Sequence, residues 1–397
     1  MKIIHFSDTH LGFNDLDILN TENINQREAD FYDAFSQVIE QIKIIKPDFI
    51  IHTGDLFHRS SPSNRAITFA LEQFKIIESL EIPCILIAGN HSTPRTNLSA
   101  PILKIFENFK NIFVSYEQKY KKIEFKDIVF HTLPHMNDET IALSQIELCE
   151  ANLDASKKNI MMMHCSVGAG YLMQEFGEWV FPHAKEYLFA EMDYVALGHW
   201  HGFGHVGKHN NVYYSGSTER TSLNDKRNFK GFVEVDFGST TSTSEAEATH
   251  PKDTLFGSTT SVVPTSQLTI KFTEIKIRPI VQKEINCEDY ENALIDESDT
   301  ENAIVEVKLT NLTPLQSIDI QNSDIKKLFP HAMSVTVKRE FKLSTNETNL
   351  ADIEALSLEE YFLAHIKEDA NEAEFQRLKN KITELFFQYE ESADDTL

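Results

Sequence analysis

Lys2-Ile3-Ile4-His5-Phe6-Ser7-Asp8-Thr9-His10 opens the chain as a short apolar run that stops at a carboxylate and an imidazole. The same form returns along the next two hundred residues. Asp48–Thr53 runs into Gly54-Asp55, Cys84–Ala88 into Gly89-Asn90-His91, Ile160–Met163 into His164, and Tyr194–Leu197 into Gly198-His199-Trp200-His201, while Ile128–Thr132 is a further run of this kind. Short runs rich in Ile and Val that end at polar residues read as buried strands. Between the first two, Phe31, Ala34, Phe35, Val38, Ile39 and Ile42 follow helical spacing, and a second helix is predicted over Ala66–Leu80. Strands alternating with amphipathic helices predict a layered α/β domain whose strand ends converge on one edge, where ligands bind.

The residues gathered at that edge decide the chemistry. Asp8 and His10, like His199 and His201, are two apart, so an extended backbone would aim both members of each pair to one side. Asp55 lies between the early and late groups, and its two carboxylate oxygens suit it to bridge two ions. Asn90 adds an amide oxygen and His164 another nitrogen. Carboxylate, amide and imidazole spread this widely exclude a zinc finger but suit a pair of hard or borderline divalent cations. Singly, each motif has a plainer reading: a strand-end cap, turn chemistry at Gly-Asp and Gly-Asn, a core histidine at His164. Their joint order along successive strand ends favours a metal site and phosphoester hydrolysis.

Bulk properties bound this reading. With 397 residues and 41% hydrophobic content, the chain can bury two or three cores. No apolar run approaches the ~20 residues of a membrane span, no signal sequence precedes the first strand, and a cytoplasmic location without membrane contact is expected. Cys84, Cys149, Cys165 and Cys287 lack C-x-x-C spacing, so neither disulfides nor zinc ribbons are expected. The net charge of −24 excludes a generally DNA-adhesive surface. From Thr345 onward 14 Asp/Glu face 4 Lys/Arg, yet the rest is acidic too, so any nucleic-acid contact is local or shared with a basic partner.

Four regions are predicted. Residues 1–237 form the first domain, closed by the alternating strand Gly231–Phe237, and 238–267 form a Ser/Thr-rich linker or insertion. Residues 268–343 form a small α+β module with strands at Leu268–Phe272, Ala303–Val307 and Ser334–Val337. Within 350–390, Ser357 and Glu360 form a capping box, and Phe375, Leu378, Ile382, Leu385, Phe386 and Tyr389 line one helical face.

Asp8-Thr9-His10-Leu11-Gly12, Gly54-Asp55-Leu56-Phe57-His58, Gly89-Asn90-His91, Met163-His164 and Gly198-His199-Trp200-His201 resemble the motif series of calcineurin-like metallophosphoesterases. The Leu-Phe-His ending, the early Leu-Gly and the later modules resemble more narrowly the SbcD-type double-strand-break repair nucleases. The resemblance implies a layered β-sandwich flanked by helices, a small α+β cap that binds DNA, and C-terminal helices. It also implies two Mn²⁺ ions, one on Asp8, His10 and His201, the other on Asn90, His164 and His199, with Asp55 shared. His91 would stabilise the phosphorane or protonate the leaving oxygen, and His58 would position the strand. DNA exonuclease and endonuclease activity, a homodimer and an SbcC-type coiled-coil ATPase on the C-terminal helices follow as expectations. The apolar stripe equally fits a helix docked on its own domain. Arg59, Arg65, Arg95 and Arg220 are candidate phosphate contacts, each also an ordinary surface residue. Where the family commonly has Asp after the third motif, this chain has Ser92, which supports a neighbouring imidazole less well. A phosphoesterase for small diesters or monoesters, and an inactive binding scaffold, remain as alternatives.

Overall fold

Each apolar run that ends in a motif is a strand, as the Ile- and Val-rich sequence requires. In chain order these are β1 (Lys2–Phe6), β2 (Phe49–His52), β3 (Cys84–Ile87), β4 (Ile112–Ser115), β5 (Lys121–Glu124), β6 (Ile128–Leu133), β7 (Lys158–His164), β8 (Tyr194–Gly198), β9 (Gly204–His205), β10 (Val212–Tyr214), β11 (Gly231–Asp236), β12 (Val262–Thr265) and β13 (Leu268–Glu274). The computed structural model describes residues 1–94, 100–173, 178–222, 229–238, 262–265, 268–287, 299–341, 375–379 and 381. They fall into two units, Met1–Ile277 and Arg278–Leu397.

In the first unit one sheet has the order β12-β13-β11-β1-β2-β3-β4 and the other β5-β6-β7-β8-β10-β9. β1 to β4 run parallel, as do β6 to β8, so their carboxyl ends share a direction within each sheet. Alternation along each strand builds the layers. Ile3, Ile51, Ile85 and Ile87 meet Phe130, Ile160, Met162 and Tyr194 in one core between the sheets. Ile4, Ile50 and Leu86 turn the other way and pack with Phe35, Val38 and Phe74 from α1 (Gln26–Ile45) and α2 (Asn64–Ser79). Met161, Met163, Val195 and Leu197 cover the second sheet's outer face with Ile146 of α3 (Glu139–Ala151). Strands buried on both faces carry the near-continuous apolar sequences seen here. Asn25 caps α1 through the backbone amides of Arg27 and Glu28, and Ser63 caps α2 through Ala66.

Two boundaries differ from the sequence expectation. Leu268–Glu274, predicted to open the α+β module, pairs antiparallel with β11 and belongs to the first sheet. Its alternating Leu268, Ile270 and Phe272 side chains complete the inter-sheet core. Val262–Thr265, assigned to the linker, adds the outermost strand beside it; two consecutive valines in a Ser/Thr-rich stretch are enough to prolong a sheet edge.

The second unit has a parallel sheet, β14 (Ile280–Asn286), β15 (Ile304–Leu312) and β16 (Ser334–Phe341), with β15 central. It also holds α4 (Pro314–Asp319), opened by a Thr313/Gln316 capping box, and α5 (Asn322–Lys327). Val305, Val307, Leu309, Ile325 and Phe329 form its core. Residues 375–379 are helical; Leu378 is buried, and Arg377 donates to Asp319 at 3.0 Å. The capping box at Ser357–Glu360 and the rest of the stripe, Ile382 to Tyr389, lie outside the described residues. All four cysteines are buried and none forms a disulfide. No described helix is long and apolar enough to cross a membrane.

Candidate metal centre

The loops that follow β1 and β2 are laced together. Asp8 N–H donates to Gly54 O at 3.0 Å, His10 N–H to Asp55 O at 2.9 Å and Leu11 N–H to Leu56 O at 2.8 Å. This lacing sets the side chains' direction by a route the sequence reading did not foresee. Asp8, His10, Asp55 and His199 all have positive φ, 51°, 47°, 53° and 94°, so they are turned inward by left-handed backbone, not by extended alternation. Such conformations cost of order 1–3 kcal/mol each and persist where surrounding structure over-determines them. Two glycines make the approach possible. A Cβ on Gly54, whose φ is +105°, would stand 2.2 Å from His164 Nδ1, and one on Gly89 would stand 2.3 Å from Asp55 Oδ1.

Six of the seven predicted ligands meet. Potential donor atoms of Asp8, His10 and His201 lie within 4.8 Å of one another, as do those of Asp8, Asp55 and His164. His10 Nε2 and His201 Nε2 are 3.2 Å apart. His164 Nε2 stands 3.1 Å from Asp55 Oδ2 and 2.9 Å from the Asn90 amide oxygen. His199 belongs to none of these donor groups; its ring centroid is 5.4 Å from that of His164, and its Nε2 lies 3.2 Å from Glu178 Oε1. Asp8 is common to both groups, whereas Asp55, the expected bridge, belongs to the second alone.

Supporting hydrogen bonds aim these donors. His164 Nδ1 donates to Thr53 O at 2.8 Å, which leaves Nε2 for a cation. Thr221 Oγ1 does the same service at His201 Nδ1, 3.1 Å away. The His199 backbone N–H donates to both Asp8 oxygens, at 3.2 and 3.1 Å. The His91 backbone N–H donates to Asp55 Oδ1 at 2.9 Å, and its Nδ1 to the His58 carbonyl at 2.8 Å. A main-chain oxygen therefore fills the supporting role that an acidic residue at position 92 would otherwise take. Ser92 is buried, and its hydroxyl finds no partner among the described residues.

The electrostatics suit cations. Burial lowers His10 well below the usual imidazole range, and His201 and His91 nearby lower it further, so it stays a neutral lone-pair donor. His58 falls to about 4 through burial and its neighbours His91 and Arg59. Burial disfavours charge on Asp55, yet the surrounding imidazoles, His164 first, outweigh it and hold the carboxyl well below its ordinary value. Burial also opposes charge on His164, but Asp55 and Asp8 outweigh it and push that group up to about 9. A buried nest of carboxylate, amide and imidazole donors fits divalent cations by donor chemistry, and a cation there would take the place of the proton that His164 holds between the two carboxylates.

The candidate substrate residues are less concentrated. His58 Nδ1 lies 3.4 Å from His10 Nδ1, and its ring stacks on that of His91 with centroids 5.2 Å apart. Arg59 is exposed beside it. Arg65 is half exposed and ion-paired with Glu28 at 3.3 Å, and the Arg220 carbonyl accepts from buried Arg27 at 2.6 Å. Arg95 lies outside the described residues. Two further residues escaped the sequence reading. His135, just past β6, is buried, and burial together with His164 lowers it to about 4. The strand-end rule, applied to β6 as to the others, finds it. Glu178 lies in an irregular stretch with no strand or motif to mark it.

The calcineurin-like phosphoesterase profile matches residues 1–203, half of the chain and all seven candidate ligands. The chain belongs to the calcineurin-like phosphoesterase family. Among curated members, it is 28% identical over 242 residues to a DNA double-strand break repair protein Mre11 from Methanococcus maripaludis, covering 58% of this chain and 62% of that one. It is 31% identical over 229 residues to the protein of the same name from Thermoplasma acidophilum, covering 56% and 57%. The chain thus spans about three fifths of the length of these relatives. A dimetal phosphatase from Danio rerio superposes with a TM-score of 0.39 at 10% identity, over 59% of this phosphoesterase and 91% of that one, too distant a likeness to bear on chemistry.

Proposed function

We propose that this phosphoesterase is a dinuclear-metal nuclease that hydrolyses DNA phosphodiester bonds in double-strand-break repair. The observation that carries the reading is the convergence of buried donors at the strand ends, where Asp8 joins His10 and His201 on one side and Asp55 and His164 on the other. The relatives named DNA double-strand break repair protein Mre11 support DNA as the substrate. Asp8, His10 and His201 would hold one Mn²⁺, Asn90, His164 and His199 the other, with Asp55 between them. When bound, the cations supply Lewis-acid charge to the phosphoryl group and favour ionisation of the attacking water.

The chain's own residues do the rest. His91 gives its Nδ1 proton to the His58 carbonyl, so its Nε2 end is the one left to face a phosphoryl or leaving oxygen. The stacked His58 ring fixes the plane in which it does so. Arg59, exposed beside His58, is the best placed of the arginines to hold a neighbouring phosphate. With a net charge of −24, contacts of this kind are local, and a homodimer working with an SbcC-type coiled-coil ATPase would extend the grip on DNA. Incubation with Mn²⁺ and either linear duplex DNA or a chromogenic phosphodiester tests the proposal. Cleavage of DNA, lost in Asp55→Asn, is expected; turnover of the small ester with intact DNA would refute the nuclease reading.

A further inference from the structure

Glu178 is built into the site from three directions. Its Oε1 accepts from Ser166 Oγ and from the Met173 N–H at 2.8 Å, and it stands 3.2 Å from His199 Nε2. The stretch that carries it is knitted to the chain just beyond His164: Ser166 N–H donates to Trp179 O at 2.9 Å and Phe181 N–H to Ser166 O at 2.8 Å. The carboxylate is therefore held in register with one predicted ligand while it touches another. Both side chains are almost fully enclosed, with 4% of His199 and 9% of Glu178 exposed.

An imidazole that donates Nε2–H to a carboxylate keeps its lone pair on Nδ1, and an ionised partner strengthens that nitrogen as a donor. We propose that Glu178 is a positioning residue that fixes His199 as an Nδ1 donor, so that one cation site depends on this carboxylate and the other does not. The inference rests on the dinuclear reading above. His10 and His201 are held by other groups: His201 Nδ1 is engaged by Thr221, and the two rings face each other through Nε2. Loss of Glu178 should therefore weaken one site and spare the other.

The test compares wild type with Glu178→Ala and Glu178→Gln. Metal-free protein labelled with ¹⁵N-histidine reports the tautomer of His199 directly, and Mn²⁺ titration by calorimetry and electron paramagnetic resonance reports the two affinities. The expected result is an Nε2–H tautomer in wild type that is lost in Glu178→Ala. One Mn²⁺ site should then weaken by roughly 10–100-fold while the other is unchanged. Glu178→Gln, which keeps the side chain's shape and an acceptor oxygen, should fall between and serves as the comparison if the alanine variant melts early. Ser166→Ala, which removes one of the carboxylate's two supports and leaves the Met173 N–H in place, should weaken the same site by less. Equal weakening of both sites, or an unchanged tautomer, overturns the proposal. Wild type that takes up no Mn²⁺ would instead remove the dinuclear reading beneath it.

Discussion

Raising the pH of the cation-free protein should destabilise it through one residue. Asp55 and Asp8 outweigh the burial cost at His164 and lift its pKa from 6.5 to about 9, so the folded state holds a proton that the unfolded chain has already released. The stabilisation is complete below pH 6.5 and is lost as the pH climbs to about 9. At about 1.4 kcal/mol per pKa unit this amounts to about 3 kcal/mol, or a fall of roughly 5 °C in Tm for a unit of this size. Circular-dichroism melts in chelator should show that fall for wild type and not for His164→Gln, the variant serving to subtract every other titrating group. Excess Mn²⁺ should reverse the slope, because a cation needs the imidazole deprotonated and competes with the same proton. Parallel pH profiles for wild type and His164→Gln in chelator would show that the proton is held elsewhere, and the electrostatic account of the centre would fail.

Other substitutions separate the parts of the site. Gly89→Ala places a methyl group 2.3 Å from Asp55 Oδ1 and 2.7 Å from its backbone nitrogen; it should displace the Asp55 carboxylate and lower DNA cleavage by roughly 100-fold or more, with Mn²⁺ uptake falling in parallel in calorimetry. His91→Gln should leave Mn²⁺ affinity intact and reduce kcat by roughly 10²–10⁴ under saturating metal, as removal of a general acid does; loss of metal binding would reassign His91 to the cation shell. Ser92→Ala removes a buried hydroxyl that lacks a partner among the described residues, and should raise stability by about 1 kcal/mol in urea melts. Ser92→Asp should keep Mn²⁺ binding and shift the pH profile but melt below wild type, since it buries a carboxylate where the His58 carbonyl already holds His91.

The features legible in the sequence were those with a short-range cause. Parallel strands buried on both faces must be apolar throughout, so β1, β2, β3, β6, β7 and β8 announced themselves, and so did the helix whose Phe31 to Ile42 stripe covers the first three. Some edge strands give no such signal. β5 reads Lys-Lys-Ile-Glu and β14 Ile-Val-Gln-Lys-Glu-Ile-Asn, with single-faced or mixed patterns that fit a loop as well as a strand. β12 hid for a related reason, its two valines lying inside a stretch whose composition reads as linker.

The site divides along the same line. Candidate donors could be named because metal chemistry constrains residue type, and the glycines beside them because Gly54 and Gly89 leave no room for a side chain beside His164 and Asp55. The mechanism of convergence was not readable. Spacing of two predicted extended pairs, whereas Asp8 and His10 reach the centre through left-handed backbone held by hydrogen bonds to a loop some forty-five residues away in sequence. Nor could pattern reveal the supports: Thr221, Glu178 and the His58 carbonyl act through contacts made only after the chain has folded. A nitrogen's usefulness to a cation depends on what holds its other nitrogen. For His164, His201 and His199 that partner is, in turn, a main-chain carbonyl, a hydroxyl and a carboxylate. Three chemically different supports under one residue type give three different donors, and only the last, being ionisable and carried on an irregular stretch, offers a means of tuning one cation site apart from its neighbour.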